Sequence, residues 1–215
     1  MRPSWGIHFI FMSIAHHAWM QVVNLALYEW ISAGGDPFGL LLWFAEHGAS
    51  LAAVLVAWVI LRQPKERWYA SAVVLAAGLA SILAHALADG LGFERPYMQG
   101  LGAPRIPHGS RSALPSAHAT VMFTVALLLW QRPALRIVAV LALLVAVLTS
   151  WGRIYAGVHF PIDIAAGFLL ALLIATAVHL VARRLSKRLA ALRPPWPLRH
   201  KSAKVASPDL PPPRH

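Results

Sequence analysis

Long apolar runs separated by short polar segments dominate this chain. Five runs are candidates for membrane spans, and they cover residues 39–61, 69–91, 116–130, 135–151 and 161–182. A helix needs about 20 apolar residues to cross a bilayer, and fewer where its end is buried in protein. The third and fourth runs are short, which fits helices that end at a recessed pocket. The pattern predicts an all-α polytopic membrane protein, a bundle of five to six transmembrane helices.

A sixth apolar run, over residues 7–31, is ambiguous because His16, His17, Gln21 and Asn24 interrupt it. It either spans the membrane or lies at its surface as an amphipathic helix. We therefore divide the chain into an N-terminal helix at 1–33, a membrane domain at 34–185 and a C-terminal tail at 186–215. The tail is basic and rich in proline, and we expect it to be disordered.

Composition supports a membrane protein. Of the 215 residues, 58% are hydrophobic and only 13% are charged, about half the charged fraction of a soluble domain. The absence of cysteine excludes disulfides, a thiol nucleophile and cysteine-ligated metal sites. The net charge of +11 lies mainly in short loops and the tail, which favours contact with lipid headgroups over nucleic acid.

The basic loops predict the orientation. Positive charge is concentrated in residues 62–67, in residues 132–136 and after residue 182. Cytoplasmic loops carry an excess of lysine and arginine, so these three regions are expected in the cytoplasm. The loops at 92–115 and 152–160, which contain the chain's polar clusters, would then face outward.

The most distinctive polar cluster contains Arg153, His159 and Asp163. Four residues apart, His159 and Asp163 can share one helix face, with Pro161 in the first helical turn. A carboxylate bonded to one ring nitrogen leaves the other free as a nucleophile or base. Arginine is well suited to phosphate oxygens. Alternatively, Arg153 and Asp163 form a structural ion pair and His159 is an interfacial residue.

Two further clusters precede it. In Pro115-Ser116-Ala117-His118, the serine can cap a helix whose first amides would bind an anion, and His118 could donate a proton. The alternative is a simple cap with an exposed histidine. Arg95-Pro96 follows an apolar run and could equally be an ordinary helix stop. Together the clusters are more specific, because each lies at the outward end of a different predicted span.

Other polar residues have simpler interpretations. Glu46 and His47 are expected to form an interfacial pair, although they could reach the pocket. His85 and His179 are expected to be neutral histidines packed within spans. The basic tail is expected to contact anionic lipid headgroups.

The three clusters resemble the motifs of the type 2 phosphatidic acid phosphatase superfamily, which are Lys-x6-Arg-Pro, Pro-Ser-x-His and Ser-Arg-x5-His-x3-Asp. Residues 114–120 and 151–163 more narrowly resemble bacterial undecaprenyl-diphosphatases of the bacitracin-resistance type, as does Asn24-Leu25-Ala26-Leu27-Tyr28. The likeness covers roughly residues 20–183. It implies a bacterial inner-membrane enzyme that hydrolyses a polyprenyl diphosphate to the monophosphate and phosphate, without a metal or other cofactor.

The resemblance also implies roles for individual residues. His159 would form a phosphohistidine, Asp163 would orient His159, and His118 would protonate the leaving group. The phosphoryl oxygens would be held by Arg95, Ser116, Arg153 and the amides near Ala117.

The chain departs from the family pattern at several positions. Ala88 stands where the family has lysine, and Gly152 stands where it has serine, which removes one hydroxyl donor. Arg105 and Arg111 make the outward loop more cationic and are possible substrate contacts that compensate for the missing lysine. Two alternatives therefore stay open, namely a phosphatase of another lipid phosphate (phosphatidylglycerophosphate, phosphatidate or lipid A) and a non-catalytic lipid transporter or scaffold.

Overall fold

The computed structural model describes residues 21–191, which fold into α-helices and two short 3-10 helices without a strand. Helix α1 covers residues 21–32 of this range. The others are α2 (Leu40–Arg62), α3 (Arg67–Leu91), α4 (Ala117–Trp130), α5 (Arg136–Tyr155) and α6 (Pro161–Ala191), with 3-10 helices at Pro96–Gln99 and Pro133–Leu135. The predicted all-α fold is confirmed.

Four of these helices, α2, α3, α5 and α6, are long and apolar enough to cross a membrane, and α4 is a shorter apolar helix of 14 residues. The apolar run at residues 135–151 was also predicted to form a short helix, and that prediction was wrong. Helix α5 continues past residue 151 to Tyr155, so Arg153 lies in its last turn and not in a loop. Gly152 does not break the helix, and the chain turns only near Gly157, whose φ is +76°.

Helix α6 also extends beyond its predicted end. Residues 186–191 are predicted to belong to a disordered tail, but they are helical. Lys187, Arg188, Leu189 and the two alanines that follow are good helix formers, and no glycine or proline lies between residue 186 and Pro194. The described residues up to Leu180 form one compact unit, and α6 continues beyond it to Ala191. The rest of the predicted tail and the start of the N-terminal run lie outside the described residues.

The polar clusters meet at one end of the bundle, where α3 and α5 end and α4 and α6 begin. At the other end, Arg132 Nε donates to Glu66 Oε2 at 2.8 Å, which joins the loop before α3 to the loop after α4. Both basic loops therefore lie opposite the polar clusters, as the alternation of loops predicts.

Glycines allow the helices to approach closely at the polar end. A Cβ at Gly152 of α5 would overlap the Leu41 carbonyl oxygen of α2. A Cβ at Gly167 of α6 would lie 2.9 Å from the Ser116 carbonyl oxygen, at the start of α4. These contacts hold the ends of α5 and α6 against the elements that bring the other polar clusters.

Candidate active site

The helix ends enclose a cavity of about 160 Å³ at the polar end of the bundle. Six residues predicted from the sequence line it, namely Arg95, Arg111, Ala117, His118, Arg153 and His159. Ser116 lies directly behind its wall, with Oγ 3.3 Å from His159 Nε2. Distant parts of the chain thus contribute to one site.

His159 and Asp163 form a buried pair, each 2% exposed. Asp163 Oδ2 lies 3.2 Å from His159 Nδ1 and accepts the Phe160 amide at 2.8 Å. The two residues do not share a helix face as predicted, because α6 begins at Pro161 and His159 lies before it. The carboxylate instead reaches back over the first turn, as an acidic residue in a capping box does.

Arg95 holds the other ring nitrogen of His159. Its Nη1 lies 3.1 Å from His159 Nε2 and donates to the Val158 carbonyl at 2.8 Å, while Nη2 donates to the Ser112 carbonyl at 3.1 Å. A guanidinium can only donate, so Nε2 accepts and the ring proton sits on Nδ1, facing Asp163. This tautomer leaves the Nε2 lone pair directed towards the cavity.

Helix α4 begins immediately behind this nitrogen. Ser116 is its N-cap and accepts the Ala119 amide at 3.5 Å, as the sequence predicts. The Ser116 amide donates to the Asp163 carbonyl at 3.0 Å, which ties α4 to the first turn of α6. The helix start therefore points its positive end towards His159 and the cavity.

Arg153 adds a second buried guanidinium, only 3% exposed. Its Nη1 donates to the Ala45 carbonyl at 3.2 Å, and its Nε is buried without a hydrogen-bond partner among residues 21–191. A buried donor left unpaired is costly, and an anionic ligand would remove that cost. Burial lowers the pKa of His159 well below its usual range, and the charges of Arg153 and Arg95 lower it further. His159 is therefore neutral in this environment, as a nucleophile must be.

The two loop arginines differ. Arg111 is exposed and lines the cavity. Arg105 is not among the lining residues. Its guanidinium lies 4.1 Å from the centre of the Tyr155 ring and donates to the carbonyls of Tyr155 at 3.0 Å and Ser32 at 2.9 Å. Arg105 therefore holds the loop between α3 and α4 against the ends of α1 and α5.

Sequence reasoning missed three residues that line the cavity, His85, Asp89 and His108. His85 lies within α3 and donates from Nδ1 to the Ser81 carbonyl at 2.8 Å, so it is hydrogen-bonded as predicted but is also part of the wall.

Glu46 and His47 lie outside the cavity wall. Glu46 Oε2 is 4.0 Å from His47 Nδ1, and both side chains are exposed. Asn24 is predicted only to interrupt the N-terminal apolar run and to belong to a segment that resembles the family, whereas in the structure its Oδ1 accepts the Ile162 amide at the start of α6.

The donor set favours anions over metal ions. Within residues 21–191 no group of three or more histidine and carboxylate side chains is arranged to hold a metal. Three arginines and the start of α4 surround the cavity. This charge distribution is suited to stabilising the equatorial oxygens of a transferring phosphoryl group.

The PAP2 superfamily model matches residues 69–187, more than half of the chain. The chain belongs to the PAP2 superfamily. This match confirms the resemblance found in the motifs, and it establishes a multi-pass membrane phosphatase that acts on lipid phosphates.

Two named proteins are similar in sequence. "Putative undecaprenyl-diphosphatase YbjG" of Escherichia coli is 28% identical over 160 residues, which cover 70% of this chain and 78% of that protein. "Decaprenylphosphoryl-5-phosphoribose phosphatase" of Mycolicibacterium smegmatis is 33% identical over 128 residues, which cover 58% of this chain and 66% of that protein.

Two solved structures share the fold. The PAP2 type phosphatidylglycerolphosphate phosphatase from Bacillus subtilis has a TM-score of 0.60 at 23% identity, covering 84% of this chain and 95% of that one. Aquifex aeolicus LpxE has a TM-score of 0.58 at 22% identity, covering 72% of this chain and 93% of that one.

Proposed function

We propose that this PAP2 phosphatase hydrolyses undecaprenyl diphosphate, or another polyprenyl diphosphate, to the lipid monophosphate and phosphate. The observation that carries the proposal is the position of His159, whose ring contacts Asp163 through Nδ1 and Arg95 through Nε2. A neutral imidazole is held by a carboxylate at one nitrogen, and its other, unprotonated nitrogen accepts from Arg95, a guanidinium of the cavity wall. The likeness to a named undecaprenyl-diphosphatase supports the choice of substrate class.

The reaction would proceed in two steps. Arg95, Arg153 and the amides at the start of α4 bind the terminal phosphoryl group, and the arginine N–H groups leave the histidine for phosphoryl oxygens. His159 Nε2 then attacks phosphorus, and the bond to the bridging oxygen breaks. His118 takes up a proton from solvent when the anionic substrate enters and gives that proton to the bridging oxygen, and Asp163 stabilises the positive charge on the ring of His159.

In the second step the product lipid leaves and water attacks the phosphohistidine. His118, now neutral, takes the water proton, the N–P bond breaks, and phosphate is released with His159 restored. The residues that hold the phosphoryl group serve both steps, because the same equatorial oxygens carry charge in each transition state.

Arg111 supports a diphosphate substrate, since it adds positive charge to a cavity that lacks the family lysine. An observation that favours the alternative is Asp89, an exposed carboxylate that also lines the cavity. It would repel a second phosphate charge and so favour a lipid monoester such as phosphatidylglycerophosphate, phosphatidate or a lipid A phosphate.

We also propose a bacterial inner-membrane location with the cavity facing outward and the C-terminus in the cytoplasm. The basic loops at the end of the bundle opposite the cavity support this orientation. The basic tail would contact anionic headgroups.

The deciding experiment measures phosphate release by the purified full chain. The panel contains undecaprenyl diphosphate, undecaprenyl monophosphate, phosphatidate, phosphatidylglycerophosphate and lipid A, each without added metal. His159→Ala is the matched inactive control and should lose several orders of magnitude in rate. Fastest turnover on the diphosphate supports the proposal, and fastest turnover on a monoester supports the alternative. No release from any substrate would favour a non-catalytic transporter or scaffold.

A further inference from the structure

A second histidine pairs with the second buried arginine of the cavity. His108 is half-buried on the outward loop, and its Nε2 lies 3.5 Å from Arg153 Nη2. The ring centre of His108 lies 6.3 Å from that of His159, whose own Nε2 lies 3.1 Å from Arg95 Nη1. Each arginine therefore directs an N–H group at the Nε2 atom of a neutral histidine.

A phosphoryl group would disrupt both pairs in the same way. Its oxygens are stronger acceptors for a guanidinium than an imidazole nitrogen, because the hydrogen bonds become charge-assisted on both sides. The displaced Nε2 of His159 is used by the proposed reaction as a nucleophile. The displaced Nε2 of His108 has no such use and would face an anion with a lone pair, which is unfavourable unless the nitrogen takes up a proton.

We propose that His108 is an additional phosphate-binding residue of the cavity, which takes up a proton from solvent when a phosphoryl group enters and donates a hydrogen bond to it. This inference rests on the proposed function only in assigning phosphoryl groups to the cavity. It makes His108 the titratable counterpart of the lysine that the chain lacks, since Ala88 stands in that position.

The pKa of His108 agrees with a role in proton uptake. Burial lowers the pKa of His108 to about 4, and the charges of Arg95 and Arg153 also lower it. A bound dianion would offset those charges and raise the pKa of His108 towards its usual value. The charged and titratable groups that share the cavity wall with His108 are His85, Asp89, Arg95, Arg111, His118, Arg153 and His159.

Linkage then predicts that anion binding strengthens as the pH falls. Each proton taken up per anion makes the affinity rise about tenfold per pH unit, and His108 contributes one such proton. Inorganic phosphate is a poor probe because it titrates in the same range, whereas sulfate remains a dianion. The experiment is calorimetric titration of the purified full chain with sulfate, between about pH 5 and about pH 6.5, in buffers that differ in ionisation enthalpy; this range lies between the lowered pKa of His108 and its usual value.

His108→Gln keeps a hydrogen-bonding side chain that cannot titrate, and it should reduce proton uptake by about one per sulfate and flatten the pH dependence accordingly. His108→Arg supplies a permanent charge and should bind sulfate at least as tightly as the parent, also with reduced uptake. The matched control is His47→Gln, which changes an exposed histidine outside the cavity wall and should behave as the parent does.

Unchanged proton uptake in His108→Gln would overturn the inference. So would loss of sulfate binding by both the glutamine and the arginine variants, because His108 would then serve only to hold the loop. Failure of the parent to release phosphate from any lipid, with proton-coupled sulfate binding intact, would count against the proposed function and not against His108.

Discussion

Gly152 of α5 lies directly against the backbone carbonyl of Leu41 in α2, so closely that a Cβ atom at position 152 would overlap the oxygen. The related motif has serine at this position. The chain therefore not only lacks a hydroxyl donor but has no room for one between α2 and α5. The close contact places Arg153, the next residue, beside Ala45 of α2, whose carbonyl it binds at 3.2 Å.

Gly152→Ser should therefore destabilise the protein by about 1–3 kcal/mol, as overpacking of a tight contact does. The measurement is denaturant unfolding of the purified protein in detergent. Gly78→Ala is the control, because a Cβ there meets nothing within 4 Å, and it should be neutral or stabilising by about 0.5–1 kcal/mol. Equal stability of Gly152→Ser and the parent would show that α2 and α5 do not approach this closely.

Asp163→Asn tests the tautomer of His159. The amide can donate to Nδ1, which would move the ring proton to Nε2 and remove the lone pair that faces Arg95. By analogy with the equivalent change in serine proteases, turnover should fall roughly 10⁴-fold while the protein stays folded. Glu46→Gln, an exposed carboxylate outside the cavity wall, should keep parental turnover. A loss below tenfold in Asp163→Asn would mean that Asp163 does not select the tautomer.

The motif residues could be predicted to meet because each lies at the end of an apolar run on the same predicted side of the membrane, and the structure brings them around one cavity. His108 could not be found in this way. It lies in a long loop without periodicity or a family motif, so the sequence alone does not distinguish it from the chain's other loop histidines. The contact of Gly152 with Leu41 depends on a helix that is far away in sequence. The sequence of residue 152 therefore shows that a serine hydroxyl is missing, but not that α2 and α5 pack closely there.

His118 is proposed to protonate the leaving group, a role that depends on the substrate. His118→Ala should slow hydrolysis of lipid phosphates by about 10²–10⁴-fold, because a poor leaving group needs the proton. Activated aryl phosphates leave without protonation and should be affected much less. Rates of both substrate types, measured for the parent and the variant, decide the role. An equal loss on both would indicate that His118 binds phosphate instead.

Arg111 and Arg105 form a matched pair on one loop, and the sequence predicted both as substrate contacts. Arg111 lines the cavity, so Arg111→Ala should reduce kcat/KM for a diphosphate lipid by about tenfold and less for the monophosphate of the same chain length. Arg105 binds the Tyr155 and Ser32 carbonyls, so Arg105→Ala should affect both substrates equally and lower the melting temperature. Equal losses on both substrates in Arg111→Ala would remove its role in reading the second phosphate.

The orientation can be tested by cysteine labelling, because the chain contains no cysteine. Gly109 lines the cavity and a Cβ there meets nothing within 4 Å, so Gly109→Cys should be tolerated. Pro64→Cys introduces a thiol at an exposed position of the basic loop and leaves Arg62, Lys65 and Arg67 in place. In intact cells a membrane-impermeant maleimide should label only Gly109→Cys, and both variants should be labelled after permeabilisation. Labelling of Pro64→Cys alone in intact cells would place the cavity on the cytoplasmic side, and the enzyme could then act only on lipid phosphates of the inner leaflet.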